Sequence, residues 1–326
     1  MHSDLKAWLA EAWGARDRIF KGLKKNGRAI LTGDIEKHPG VQVVYGMYAT
    51  PEVLAASSDV ARIADALDEL VSLMNAKQAA CLIQADAWVP ASADDLTKLA
   101  AGQNLNYIAY DSKRRPVTRQ VSHDSLDWEF LHFKNPAGAQ GGTDQRIYMN
   151  LALNGRGRHF REIVELVYGH AGFRSAKVIL TDEDPRNDTA LLYLAGQAAV
   201  DFALDAIARY QATHRTAFRP ALPKLTAAAG GLTGVGRGME PPDFALIRRR
   251  GNYYKRTGAM SFGYWRAALI FMALDRTIWQ RDGQDDSQRL KAFERRTLKY
   301  FRAAGIDPNN PSVQVNPKSL QEYPTK

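Results

Sequence analysis

Between Gln145 and Leu194 the chain alternates in character with a two-residue period, and this stretch restricts the possible folds more than any other. In Arg146-Ile147-Tyr148-Met149-Asn150-Leu151 the residues Ile147, Met149 and Leu151 are apolar, while Arg146, Tyr148 and Asn150 stand in between. Successive strand residues point to opposite sides of a sheet, so one side is predicted to face a core and the other to carry an Arg, a Tyr and an Asn together. A face meant only for water does not need that trio; a face that holds an anion does. The spacing predicts a strand over 145–152, a helix over 157–169 with Phe160, Ile163, Val164 and Val167 inward, and a strand over 174–181. A turn at Asp182 to Asn187, a strand over 189–195 and a helix over 197–213 follow. This β-α-β-β-α order argues for an α+β fold, a mixed or antiparallel sheet with helices packed on it.

The N-terminal third reads as mainly helical. Asp4 is placed to cap a helix carrying Leu5, Trp8, Leu9 and Trp13, and Pro51 opens another with Val60, Ile63, Leu67, Leu70, Val71 and Met74 at helical spacing. The segment from Leu31 to Tyr48 is expected to be a loop with a strand near Val41 to Tyr45, and strands are expected over 105–110 and 128–134. Pro220 to Gly258 is rich in Gly, Pro and Arg and shows little periodicity, so it reads as a long functional loop. Helices over 262–281 and 286–303 precede a tail from Pro308 expected to lie loosely on the surface. The implied division is a helical region 1–120, suited to docking a peptide or partner, a core 121–305 and a tail 306–326.

The formal charge of +9 calls for an acidic partner: nucleic acid, an anionic membrane surface or a phosphorylated substrate. No apolar run approaches the ~18 residues of a membrane-spanning helix, and no signal-peptide pattern opens the chain, so a cytoplasmic bacterial protein without a membrane partner is expected. The single cysteine, Cys81, excludes an internal disulfide, and no Cys/His spacing suggests a metal, so neither metal nor cofactor is expected. Gly234-x-Gly236-x-Gly238 lacks a following Gly-Lys-Ser/Thr, and neither Gly-x-Ser-x-Gly nor His-Glu-x-x-His occurs, which argues against nucleotide-binding and common hydrolase templates. Arg248 to Arg256, with Tyr253 and Tyr254 interleaved, is the one feature that favours nucleic acid, and such a partner is not expected.

If the polar faces of the strands around 146 and 177 share a sheet, Arg146, Arg186 and a later basic residue converge on one phosphate, which guanidinium groups grip in a planar, bidentate way. Lys177, beside Val178-Ile179-Leu180, is expected to be partly desolvated and to act as a general base. An arginine-bound phosphate and a lysine base suit β-elimination from phosphoserine or phosphothreonine, with Tyr148 or His132 protonating the leaving group. Asp188 is expected to orient Arg186 or Lys177.

Arg146-Ile-Tyr-Met-Asn, Ala176-Lys177-Val-Ile-Leu, Pro185-Arg186-Asn187-Asp188-Thr-Ala-Leu-Leu-Tyr193, the Gly234-Val-Gly236 loop and Ser261-Phe-Gly-Tyr-Trp-Arg266 follow in order. Together they resemble the HopA-type effector family, over about residues 125 to 275. That family includes secreted effectors and the phosphoserine/phosphothreonine lyases of lanthipeptide biosynthesis, and it is similar to the phosphothreonine lyases of animal pathogens. The resemblance implies Lys177 as the base, Arg186 and Arg266 as phosphate ligands and Arg146 as a further basic contact. Tyr148 stands where the phosphothreonine lyases keep an acid histidine, so His132, in Leu131-His132-Phe133-Lys134, is the substitute, with Lys134 a nearby cation. Arg237 adds a phosphate or backbone contact.

The expected activity is removal of phosphate from a phosphorylated peptide or protein to leave a dehydroamino acid, without cofactor and after a separate Ser/Thr kinase. Biosynthesis of a modified peptide is the leading setting. The alternative is a type III effector, delivered into a host, that binds or modifies a host protein, with or without catalysis.

Overall fold

The structure, a computed structural model, describes residues 1–20, 24–25, 28–29, 39–49, 82–83, 105–110, 116–121, 131–134, 143–167, 169–179, 186–241, 246–249, 252–255, 261–280 and 285–314. In chain order its helices are α1 (Ser3–Gly14), α2 (Arg16–Phe20), α3 (Pro39–Ala49), α4 (Arg156–Val167), α5 (Gln197–Thr213), α6 (Phe262–Gln280) and α7 (Asp286–Ala303). The strands of the main sheet are β1 (Leu82–Ile83), β2 (Leu131–Lys134), β3 (Gln145–Met149), β4 (Phe173–Val178), β5 (Ala190–Leu194), β6 (Ala227–Ala228) and β7 (Val235–Met239). Their spatial order is β6-β7-β3-β5-β4-β2-β1. The chain is an α+β protein, as the pattern of periods requires. The helix expected from Pro51, the turn at 182–185 and the tail beyond Gln314 lie outside the described residues.

Two compact units divide the chain. A sheet unit comprises Pro51–Leu222 and Ala228–Arg237; a helical unit comprises Met1–Thr50, Pro223–Ala227 and Gly238–Lys326.

In the sheet unit, β2, β4, β5 and β3 pair antiparallel. Directly opposed residues in such pairs lie on the same side of the sheet, and the register therefore sorts whole rows. Phe133, Ala176, Leu192 and Ile147 form one row, and Leu131, Val178, Ala190 and Met149 another. The described side chains of both rows are buried with Phe160, Ile163, Val164 and Val167 of α4 and with Val200, Ala203 and Ile207 of α5. Burying each large aliphatic or aromatic side chain contributes about 1.5–3 kcal/mol, which makes this contact the main support of the unit. Arg156, buried at the start of α4, donates to the carbonyls of Leu151 (3.3 and 3.2 Å) and Ile179 (3.3 Å), and so fastens the helix start to the ends of the sheet.

A titratable cluster joins α4 to α5. The Tyr210 hydroxyl donates to Glu162 Oε2 at 2.5 Å. With its one proton committed there, its oxygen can only accept, so His159 Nδ1, 2.7 Å away, must be the donor. The ring of His214 stacks on Tyr210, centroids 4.2 Å apart. Burial, then the charge of Arg158, holds His159 below its ordinary pKa of 6.5, and burial, then the hydrogen bond to Glu162, raises that of Tyr210.

Three expectations are corrected. The segment taken as loop and strand, Val41 to Tyr45, lies in helix α3. Val41, Val44, Met47 and Tyr48 are all buried, at the three- and four-residue spacing of a helix face. The cost of β-branched valines in a helix is only a few tenths of a kcal/mol, less than the packing gains. Gly40 is required there, because a Cβ would stand 2.3 Å from the Phe271 ring of α6. The tail expected to be loose from Pro308 instead forms a strand over Asn310–Gln314, paired antiparallel with Ile306–Asp307. The stretch Pro220 to Gly258, expected to be a loop, contains β6, β7 and an antiparallel hairpin of Leu246–Arg249 with Asn252–Lys255. Some of its glycines answer close packing: a Cβ on Gly238 would meet the Phe262 ring at 2.6 Å.

Candidate functional site

The side of the sheet opposite the α4/α5 core carries the polar residues. In one row His132 of β2 is opposed to Lys177 of β4, Lys177 to Leu191 of β5, and Leu191 to Tyr148 of β3. The next row on the same side is Lys134, Ser175, Tyr193 and Arg146. A bulge at Arg174 sets this second row, since both Phe173 and Ser175 find partners in adjacent residues of β5. Lys177 is half-buried, whereas Tyr148 and Arg146 are buried. The Arg146 guanidinium carbon lies 4.7 Å from the centroid of the Tyr193 ring, the neighbour that register assigns to it. Five of the residues expected from sequence thus occupy two adjacent rows of one sheet.

At the end of these strands, the segment before β5 carries Arg186 and Asp188. Arg186 Nε donates to Asp188 Oδ1 at 2.9 Å and Nη2 to Oδ2 at 3.1 Å, a two-point pair with both partners buried. Asp188 therefore orients Arg186, one of the two roles expected of it. The Ile179 N–H donates to the Thr189 carbonyl at 2.8 Å, and Ile179 follows Lys177 by two residues, so the pair and the Lys177 row share one end of the sheet.

Two further residues, Asn150 and Arg219, complete this corner. Arg219, just after α5, donates from Nε to Asn150 Oδ1 (2.9 Å) and from Nη2 to the Arg186 carbonyl (3.3 Å). Asn150 donates from Nδ2 to the Ala221 carbonyl (2.8 Å) and to Asn187 Oδ1 (3.4 Å). Asn150 was legible as a polar-face residue, but an arginine before a proline after a helix end looks like any solvated cation. Among the described residues, the corner brings two guanidinium groups to one carboxylate.

Two expected residues remain. Arg237 is exposed on β7. Arg266 belongs to the helical unit and is fully buried in α6. It donates to the Pro311 carbonyl from Nε (2.8 Å) and Nη2 (2.7 Å) and to the Phe262 carbonyl from Nη1 (3.2 Å). Among the described residues no group of three or more His, Cys, Asp or Glu could hold a metal, and no helix is long and apolar enough to cross a membrane.

An α+β protein with an antiparallel sheet, helices on one face, polar rows on the other and a buried Arg–Asp pair at the strand ends is the class that the geometry defines. The model of the HopA1 effector protein family matches residues 122–313, more than half of the chain, and the chain belongs to that family. Among solved structures, the effector protein from Pseudomonas syringae pv. tomato strain DC3000 is similar over 95% of this chain and 100% of its own, with a TM-score of 0.51 and 15% identity. The effector protein from Pseudomonas syringae pv. syringae strain 61 is similar over 97% and 99%, with a TM-score of 0.55 and 15% identity. At that identity they show a shared fold. No sequence among the curated proteins matches.

Proposed function

We propose that this chain is a type III effector that recognises a phosphorylated serine or threonine of a host protein on the polar side of its sheet and eliminates the phosphate. The observation that carries this is the row in which Lys177, on an inner strand, stands directly opposite His132, with Tyr148 two strands away. In the proposed step Lys177 takes the proton from Cα, the Cα–Cβ double bond forms, and the Cβ–O bond breaks with its electrons leaving on phosphate. His132 or Tyr148 supplies a proton to the departing oxygen. Arg186, oriented by Asp188, and Arg146 neutralise the charge on the phosphate. The effector setting has the family and two effector folds behind it. The biosynthetic setting, with a precursor peptide and a separate kinase, rests on the motif resemblance alone and is the lesser reading.

The test is incubation of the purified protein with phosphothreonine and phosphoserine peptides, followed by mass spectrometry. Loss of the mass of phosphoric acid from the peptide is the expected result, and Lys177→Ala is expected to lower the rate by about 10²–10⁴-fold while leaving peptide binding largely intact. Binding without a mass change would leave a non-catalytic effector that recognises phosphopeptides. Absence of both binding and turnover would sink the proposal.

A further inference from the structure

We infer that Asn150 and Arg219 are positioning residues for Arg186: they lock the segment that carries its guanidinium, and so set affinity for the phosphate without touching it. The inference rests on the phosphate-recognition reading above. It starts from a concentration of hydrogen bonds that a plain loop crossing does not require. After α5 the chain runs beside the end of β3, with the Ala152 N–H donating to the Ala217 carbonyl (2.9 Å), the Arg219 N–H to the Asn150 carbonyl (2.7 Å), and Leu151 bridged to Phe218. The Asn150 N–H donates in turn to the Gly234 carbonyl at 2.8 Å.

Asn150, only 1% exposed, thus uses its main-chain N–H and carbonyl and both polar ends of its side chain. Buried amides satisfied on every side hold one geometry, because any displacement leaves several polar groups unpaired at once. Three segments meet on it: 186–187 through Asn187, 219–221 through Arg219 and Ala221, and Gly234. Asn187 adds a bond from Nδ2 to the Leu222 carbonyl at 3.2 Å. Gly234 is fitted to the same crossing. Its φ is +62°, and a Cβ there would stand 1.9 Å from the Arg219 carbonyl oxygen, so the two backbones touch where only glycine can be.

The consequence for Arg186 is a grip at both ends. Asp188 holds the guanidinium by two bonds, and Arg219 holds the main-chain carbonyl of the same residue. A guanidinium fixed before the anion arrives does not have to be ordered on binding, and preorganisation of this kind appears as affinity. Arg219 also adds a positive charge next to the clamp. A knot that served stability alone would lower the melting temperature when cut and leave phosphate affinity as it was.

The experiment compares wild type, Arg219→Ala and Arg219→Lys in the full chain, with a phosphothreonine peptide and its unphosphorylated form. Arg219→Ala is expected to raise KM, or Kd where turnover is absent, by about tenfold, with kcat at saturation changed much less. Arg219→Lys, which keeps the charge but cannot span both acceptors, is expected to fall between. The Arg186 Nε–H resonance in ¹⁵N spectra supplies a second readout, expected to broaden or shift in Arg219→Ala before any peptide is added. A folded Arg219→Ala protein with wild-type KM and an unchanged Arg186 resonance overturns the inference, and so does a lowered melting temperature alone. If Arg219→Ala does not fold, the same two readouts on Arg219→Lys decide. Wild type that neither binds nor turns over the phosphopeptide removes the functional reading and this inference together, and that failure shows before any variant is compared.

Discussion

Arg266 in the helical unit and Arg186 at the end of the sheet are both buried, and each is held by hydrogen bonds to a different kind of acceptor. Arg266 donates to main-chain carbonyls of Pro311 and Phe262, with its guanidinium carbon 3.5 Å from the centroid of the Phe262 ring. Arg186 faces a carboxylate, and its main chain is held by a second arginine. Carbonyl dipoles compensate a buried cation by covering its donors, which joins the 311 strand to α6. A carboxylate compensates it by charge, and it fixes the plane of the fork while Arg219 fixes its main-chain base. Both arginines were expected as phosphate ligands; the structure gives them different structural duties.

The largest effect is expected from breaking the charged pair. Arg186→Ala strands Asp188 as a buried, uncompensated carboxylate and should cost about 3–5 kcal/mol, read from urea denaturation. Arg186→Met combined with Asp188→Leu should recover most of that loss while phosphopeptide affinity stays absent. A double variant as unstable as the single one would show that the two residues are not held by mutual charge, and the comparison would fail.

Arg266→Met should cost about 2–3 kcal/mol, because it leaves the Pro311 and Phe262 carbonyls without their donor. An unchanged KM in this variant confines Arg266 to holding α6. A raised KM in the folded protein instead supports the phosphate role that the family resemblance implies.

Gly234→Ala sharpens the sheet side of the comparison, since the new methyl forces the Arg219 main chain away from Gly234 and the backbone is left-handed at that point. A loss of about 1–2 kcal/mol is expected, with a shifted Arg186 resonance as its signature.

The smallest effect concerns a third way of burying a polar group, keeping it neutral. His159 has its pKa lowered in the fold, by burial first and then by Arg158; Glu162 opposes the shift and His214 adds to it. Below the ordinary value of 6.5 the unfolded chain takes up a proton that the folded one resists, so stability should be full above pH 6.5 and decline as pH falls towards the folded value. Urea midpoints measured between pH 7.5 and 5.5 check the sign. His159→Gln, which retains a donor towards Tyr210, should flatten that part of the profile; an equally steep profile would assign the decline to other groups.

Much of the sheet unit was legible along the chain. Ile147, Met149 and Leu151 are fully buried as their alternation required, and α4 and α5 begin and end within two residues of the expected limits. The helical unit was less so. Val41 to Tyr48 contains apolar residues compatible with either period, and contact of α3 with α6 settles it as a helix. In the site, Arg146 and Tyr148 stood out by residue type and phase, and Lys177, Arg186 and Asp188 by residue type and neighbours. Arg219 did not, because its partners Asn150 and Arg186 are 69 and 33 residues away.

Local periodicity is a property of one segment, so the residue order alone settled which side of each strand is polar and where the main helices of the sheet unit run. Strand register and the meeting of distant segments are long-range matters that no single stretch encodes in readable form. That His132 stands opposite Lys177, that Arg266 is buried among carbonyls, and that the chain after α5 straps the Arg186 segment were decided only when the whole chain packed. Packing alone determines which donors find which acceptors once water is excluded.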